Sequence, residues 1–396
     1  MVTQALKEKI PAGWKKAPLK ELGLFIMGQS PKGNTYNRKK EGLPLLNGAA
    51  DLSSEGIIIN QYTTQPTKIA KKGDILFCIR ATIGNINLAD REYCLGRGVA
   101  AFRVHDSVVD KSFIIQVLDS QFTRMRSLSQ GGVIKGLKKD ELEDFELLIP
   151  ATIKEEEKIA EILATVEENM KETDKIIAAC GRIKKGLLRT FFNKESYARM
   201  TIKKFDEVLV KLKRGHSLAT NADGRGVRYL TSGNLLDDEV NLKEKKYLDT
   251  DKSLDNCLLK KNDILINCVN SLEKLGKVAI FEGADEPIVV GFNNFGLEFK
   301  NFVDPQYAKY FCLSDDFQKT LMSISKPAVQ QVSFSGNDLL KLNFYYLDLK
   351  EQKRISSTLV SIDERIKSEK SKNKALQINK QVLMQKLLSG EIRVKV

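Results

Sequence analysis

Hydrophobic positions in this chain follow two different rhythms. From Ile159 onward apolar residues recur at alternating steps of four and three, at Ile159, Leu163, Val166, Met170, Ile177, Cys180, Leu187 and Phe191. Thr173 and Lys184 interrupt this seam. A second seam runs through Ile355, Leu359, Ile362, Ile366, Leu376, Leu383 and Leu387, with Glu369, Asn373 and Lys380 as its polar interruptions. Heptad seams flanked by Lys and Glu predict two long helices of the coiled-coil type. Pro150 before the first and Gly390 after the second supply the usual start and stop signals. Each helix, of roughly 38 residues, spans about 57 Å. Packing one seam on the other buries both, and an antiparallel arrangement gives a pseudo-twofold. The alternatives are that each helix packs on its own domain or forms an oligomerisation coil.

Residues 15–150 and 200–347 show the second rhythm, short β-rich pieces separated by Gly, Asn and Asp turns. The strands expected are Gly56–Asn60, Asp74–Ile79 and Val99–Val104, with counterparts at Asp263–Asn267, Lys277–Phe281 and Phe295–Phe299. A helical stretch at Ser112–Leu128 matches one at Pro305–Ser323. The fold class is therefore α+β, without the strand–helix alternation of a doubly wound sheet.

The two halves resemble each other. Lys154–Leu163 (KEEEKIAEIL) matches Lys350–Leu359 (KEQKRISSTL) at an offset of 350 − 154 = 196, and no gap is needed through the helices. Glu168 meets Glu364, Met170 meets Ile366, Lys184 meets Lys380 and Leu187 meets Leu383. Upstream the offset drifts. Asp140-x-Leu142 aligns with Asn337-x-Leu339, Lys72–Leu76 with Lys261–Leu265, Leu45–Gly48 with Tyr229–Ser232, and Trp14–Lys16 with Thr201–Lys203. Helices of fixed length beside gapped globular segments imply a rigid spacer carrying two divergent readers.

Charge narrows the partner. Sixty-four Lys and Arg against 51 Asp and Glu give a net charge of +13, which favours a polyanion, nucleic acid first. Met1–Lys9 has no continuous apolar stretch, and no run approaches the ~18 residues of a membrane span, so a cytoplasmic protein away from membranes is expected. Six scattered cysteines lack C-x-x-C spacing and only two histidines, His105 and His216, are present, which argues against zinc. No G-x-x-x-x-G-K-[ST] loop, methyltransferase tetrapeptide or duplicated acid–base pair is found, so no catalytic, cofactor or metal residue is assigned. Asp74 and Asp263 occupy matching positions and read as turn residues at a strand entry.

Loops that mix Lys and Arg with Asn, Gln and Ser suit contacts to phosphates and base edges together. In the first half the candidates are Lys32, Asn34, Tyr36, Asn37, Arg38 and Lys39 within Gln29–Lys40, then Arg80, Thr82, Arg97, Gln130 and Lys135. In the second they are Lys213, Arg214, Ser217, Asn221, Arg225, Asn267, Asn270, Lys274, Asn293, Asn294, Lys326, Gln330 and Gln331. The helix–helix interface is assigned to Ile159, Leu163, Val166, Met170, Ile177, Leu187, Ile355, Leu359, Ile362, Ile366, Leu376 and Leu383.

Taken in order, these features resemble the specificity subunit of type I restriction–modification systems over nearly the whole chain. The marks are Trp14, the Gly28-Gln-Ser-Pro31 loop, Gly73-Asp-Ile-Leu76, Ala81-Thr-Ile-Gly84, Gly98-Val-Ala-Ala101, Leu147-Leu-Ile-Pro150, Ile159 with Leu163, and the terminal Leu387-Leu-Ser-Gly-Glu-Ile-Arg393. The junction before each helix departs from the family pattern. It reads Ala151–Glu156 in the first half and keeps Glu351-Gln352 but has Leu347 for proline in the second. The resemblance implies two related target recognition domains, residues 1–150 and 194–347, and two spacer helices, residues 151–193 and 348–396, paired as an antiparallel coiled coil. Each domain would read one half of a bipartite, asymmetric site in double-stranded DNA. The helices would set the spacer and dock two methylation subunits, and restriction/translocase subunits would complete the assembly. Adenosyl-methionine and ATP would belong to those partners, with no cofactor in this chain. A basic coiled-coil scaffold for protein or RNA is the competing reading, and a stand-alone methyltransferase or nuclease a third.

Overall fold

A computed structural model describes residues 10–396 apart from 54–55, 81–82, 129–135, 237 and 329–330. The chain forms two compact units, Met1–Thr173 with Lys372–Val396, and Asp174–Ser371. Both unit boundaries fall inside a long helix: the first helix is Ile153–Phe191 and the second Leu349–Leu388.

In the first unit a four-stranded antiparallel sheet runs Gly84–Leu88, Ile75–Cys78, Val99–Val104, Gly23–Met27. The central Ile75–Cys78 strand is buried on both faces, which is why it reads as a continuous apolar run. Ile75, Phe77, Ala100 and Phe102 face the core that holds Phe113 of the Lys111–Leu128 helix. Leu76, Cys78, Val99 and Ala101 face a second core with Leu46 and Leu95. Those two leucines lie on a five-stranded sheet of short strands, where Leu43–Leu46 runs parallel to Tyr93–Leu95. Trp14–Pro18 pairs with Glu146–Pro150 and closes the domain beside the helix start.

The second unit repeats this order with Val278–Ile280, Ile264–Asn267, Asn294–Phe299 and Leu209–Arg214. Val227–Leu230 runs parallel to Ile288–Val290, and Thr201–Lys204 pairs with Asn343–Tyr346. Two sequence expectations need correction. Of the expected strand Gly56–Asn60 only Gly56–Ile57 is extended in a sheet. The counterpart of the single Lys111–Leu128 helix is two helices, Pro305–Leu313 and Asp315–Ile324. Ser314 breaks them apart: its ψ of 145° is extended and its hydroxyl caps the new helix at Phe317 N.

Both long helices contribute to each unit. In the first, Ile159 and Leu163 lie in the main core with Leu387 and Leu388, and Leu383 packs against it. Lys380 pairs with Glu167 at 2.8 Å. The start of the first helix thus meets the end of the second, an antiparallel arrangement. In the second unit Ile355 and Leu359 are buried with Leu187 packed alongside, and Lys184 pairs with Asp363 at 2.6 Å. Glu167 + 196 is Asp363 and Lys184 + 196 is Lys380, so the same acid–lysine pair recurs in each unit. Val166, Met170, Ile177, Ile362, Ile366 and Leu376 are half-buried along the seams.

The helix junctions also repeat. Asp110 and Asp304 cap the helices that follow them, at Phe113 N and Tyr307 N. Each is held from a long helix: Glu156 Oε2 accepts from Asp110 N (2.7 Å), and Gln352 Oε1 accepts from Asp304 N (2.8 Å). Gln352 also donates to the carbonyls of Phe302 and Leu347. Glu156 is only 1 % exposed, and burial pushes its carboxyl up to about 7 although the Asp110 amide pulls it down. Its folded pKa lies above the unfolded value of ~4.3. The contribution to stability is therefore complete below that value and is lost as pH rises through about 7. Glu156→Gln is expected to match wild type near pH 4 and to be the more stable protein at pH 8. Denaturation followed by the single tryptophan, Trp14, which lies in this core, checks it. Two curves that stay parallel from pH 4 to 8 would sink the idea.

Candidate nucleic-acid interface

In each four-stranded sheet three strand ends meet at one edge, and the loops leaving them converge. In the first unit these ends are Met27, Cys78 and Val99. Gly28 N donates to Val99 O, Gln29 N to Leu95 O, Ile79 N to Gly98 O and Leu137 N to Ile79 O. Arg97 donates to Ser30 Oγ through its backbone N (3.3 Å) and Nε (3.4 Å). Arg80 lies against Gly136. The loop after Ser30 is tied back by Tyr36, whose hydroxyl donates to Pro31 O. Arg80, Arg97, Lys32 and Asn34 are left exposed along this edge, with Tyr36 half-buried.

The second unit builds the same edge from the ends of Leu209–Arg214 and Ile264–Asn267 and the start of Asn294–Phe299. Gly215 takes the place of Gly28, so Gly28-Gln29-Ser30 and Gly215-His216-Ser217 are equivalent loops. Tyr229 stitches two of the loops together, donating to His216 O and accepting from Phe292 N at 2.7 Å. Arg214 stacks on the Phe292 ring at 4.2 Å and donates through Nε to Phe292 O. A three-stranded ribbon of Lys326–Ala328, Gln331–Ser333 and Val269–Asn270 extends the edge. It carries exposed Lys326 and Gln331 and half-buried Asn270, with exposed Lys274 in the loop beyond. Ser217 is exposed, and the Asn293 side-chain amide has no partner among the described residues. Topology therefore gathers loops that lie far apart in the sequence. Tyr229 and Phe292 join this edge without a sequence signal, whereas Ser30 and His216 lie in loops already expected to contact DNA, which share Gly-x-Ser.

Five candidates are not free to touch DNA. Lys213 is 1 % exposed and bonds Asp263 (2.6 Å) and Glu298 (2.9 Å). It does for Asp263 what Arg103 does for Asp74 in the first unit, by a two-pronged pair at 2.8 Å. Burial pushes the Asp263 carboxyl up and Lys213 pulls it back. Asn267 and Asn294 are fully buried and bond each other at 2.9 Å, and Asn294 also donates to Leu230 O. Asn37 and Asn221 are spent on identical turns. Asn37 Oδ1 accepts from Lys39 N and Glu41 N while its amide donates to Glu41 O. Asn221 does the same with Asp223, Arg225 and Arg225 O. Arg38 and Lys39 are exposed on the first turn and Arg225 on the second, where it pairs with Asp223 at 3.3 Å. Thr82, Gln130, Lys135 and Gln330 lie outside the described residues.

Among the described residues no three His, Cys, Asp or Glu side chains gather as a metal site, and no helix is long and apolar enough to cross a membrane. Two stretches, residues 11–179 and 199–377, match the family described as Type I restriction modification DNA specificity domain. The chain belongs to this family. It is 22 % identical to the type I restriction enzyme MjaVIII specificity subunit of Methanocaldococcus jannaschii, over 98 % of this chain and 95 % of that one. A second protein of that organism, named for the type I restriction enzyme MjaX specificity subunit, is 32 % identical over 40 % of this chain, and the match spans 38 % of that protein. The crystal structure of the type I restriction–modification S subunit from M. genitalium shares the fold with a TM-score of 0.60, at 17 % identity and 97 % coverage of both chains. Like its family, the chain is a DNA sequence-recognition subunit built on a tandem repeat, and its partners are DNA and other restriction–modification subunits.

Proposed function

We propose that each unit reads one half of a bipartite, asymmetric DNA site through the loop edge of its four-stranded sheet. One observation carries this reading: the same edge, with the same Gly-x-Ser loop, recurs in both units but presents different side chains. The first offers Arg80, Arg97, Lys32 and Asn34; the second offers Arg214, Asn270, Asn293, Lys326 and Gln331. Shared scaffolding with divergent tips is what reading two unlike half-sites requires. The long helices, continuous through both unit boundaries, set the unread spacer and dock two methylation subunits. Chemistry lies with the partners in this reading. Methylation subunits carry adenosyl-methionine and flip the target adenine, an ATP-driven restriction/translocase subunit completes the cytoplasmic assembly, and this chain holds no cofactor.

Exchange of residues 15–150 for those of a related subunit tests it, with the methylation subunit co-expressed and methylated positions read by sequencing. One half-site is expected to change and the other to persist. A change in both halves, or in neither, would defeat the assignment.

A further inference from the structure

The two asparagine-pinned turns share three hydrogen bonds and two positive-φ positions, at an offset of 221 − 37 = 184, and differ in what they display. Each closes on a glycine with positive φ, Gly42 at +81° and Gly226 at +91°. At both, an added Cβ would meet a backbone oxygen at 2.1 Å, Thr63 O and Leu248 O, so the closing residue is fixed by space as well as by conformation. Two residues earlier the second turn has Gly224 at φ +85°, the residue that conformation favours. The first turn has Lys40 there, at φ +65°. A lysine held where the sister turn uses glycine is strained, and strain of this kind marks positions kept for a use.

The use follows from the neighbours. Arg38, Lys39 and Lys40 are consecutive and exposed, and none has a carboxylate partner among the described residues. The corresponding Ala222-Asp223-Gly224 carries no cation, and its Asp223 neutralises Arg225. Asn37 and Gly42 fix the backbone beneath the three cations, so little ordering is needed for them to meet an anion. The turn leads into Leu43–Leu46, whose far end joins the reading edge: Gly96 N donates to Leu46 O there. At ~3.3 Å per residue the three steps of Leu43–Leu46 put about 10 Å between the turn and that edge, and the cations lie beyond.

We propose that Arg38, Lys39 and Lys40 form a preorganised clamp for the phosphate backbone of duplex DNA, present in the first unit and absent from the second. The inference rests on the reading of the edges as DNA contacts. It adds that the grip is lopsided, with sequence-independent affinity concentrated in one unit.

The test uses the full chain with its methylation subunit, on duplexes with and without the recognised site, across a range of salt. Lys40→Gly should melt no lower than wild type while weakening binding to both duplexes about five- to tenfold at 0.1 M salt. The slope of log affinity against log salt should fall by about 0.9. Arg38→Ala/Lys39→Ala/Lys40→Gly should lower the slope by roughly two to three in all, with the methylated sequence unchanged. An unchanged slope, or a lower melting temperature for Lys40→Gly, overturns the clamp. Altered methylated sequence with the slope intact overturns it too, and leaves the edges as DNA readers. A wild-type complex that binds duplex with no salt dependence removes the reading of the edges instead.

Discussion

Lys213→Met will destabilise the second unit by about 3–5 kcal/mol, because it leaves a buried carboxylate without its counter-charge. Asp263 is 2 % exposed and would retain only the Lys260 N–H, whereas Glu298 keeps the Lys260 ammonium at 2.7 Å. Asp263 is therefore the seat of the loss, and adding Asp263→Asn to Lys213→Met should restore much of it. Amide exchange in Ile264–Asn267, set against the Ile75–Cys78 strand of the first unit, is the suited measurement. Protection should collapse in the second strand and hold in the first. Equal protection in wild type and Lys213→Met would show that the pair contributes nothing.

Gly215→Ala is expected to abolish discrimination at the second half-site, by roughly 100-fold or more if two or three base contacts at ~1–3 kcal/mol each are displaced. A Cβ there would lie 2.0 Å from Val290 O, and backbone cannot yield as a flexible side chain does. The shift has to be taken up by Arg214, His216 and Ser217, which form the edge. Gly28→Ala should do the same to the first half-site, since its Cβ would meet Gly96 O at 2.1 Å and Val99 O at 2.5 Å. Gly181→Ala is the control, as the added methyl meets nothing within 4 Å. Sequencing methylated DNA from the complex separates the outcomes. Were both half-sites to survive both glycine substitutions, the loops at this edge would not be the readers.

Much of the architecture was legible because it is periodic or duplicated. The offset of 196 holds through the helices, where a deletion would rotate every side chain off its seam, and it leads directly to Glu167–Lys380 and Lys184–Asp363. In the domains the offset wanders to 184 at Asn37 and Asn221 because loops absorb insertions, and the twin turns share only Asn and Gly. That is too little for sequence comparison to find. Lys213 misleads for another reason. Lys213 and Arg214 read as the start of a polar loop, and nothing local announces that Asp263, fifty positions on, takes the lysine into the interior. Asn267 and Asn294 are polar in sequence and buried in fact: the Asn267 amide donates to Asn294 Oδ1 and Asn294 donates to Leu230 O, while Asn267 Oδ1 has no partner among the described residues. The split of the Pro305–Ile324 region was readable, since Ser314-Asp-Asp is a helix-start signal.

The unit boundaries inside the long helices bear on ancestry. The first unit takes Lys372–Val396 from the second repeat, and the second takes part of the first repeat's helix. Arg393 seals the loan by gripping Glu155 at 2.6 Å. A chain holding one repeat would lack the lent helix and could be made whole only by a twin offering its own. Reciprocal exchange of that kind is how domain-swapped pairs arise, and joining such a twin end to end would free its two reading edges to diverge while their shared helices had to stay matched.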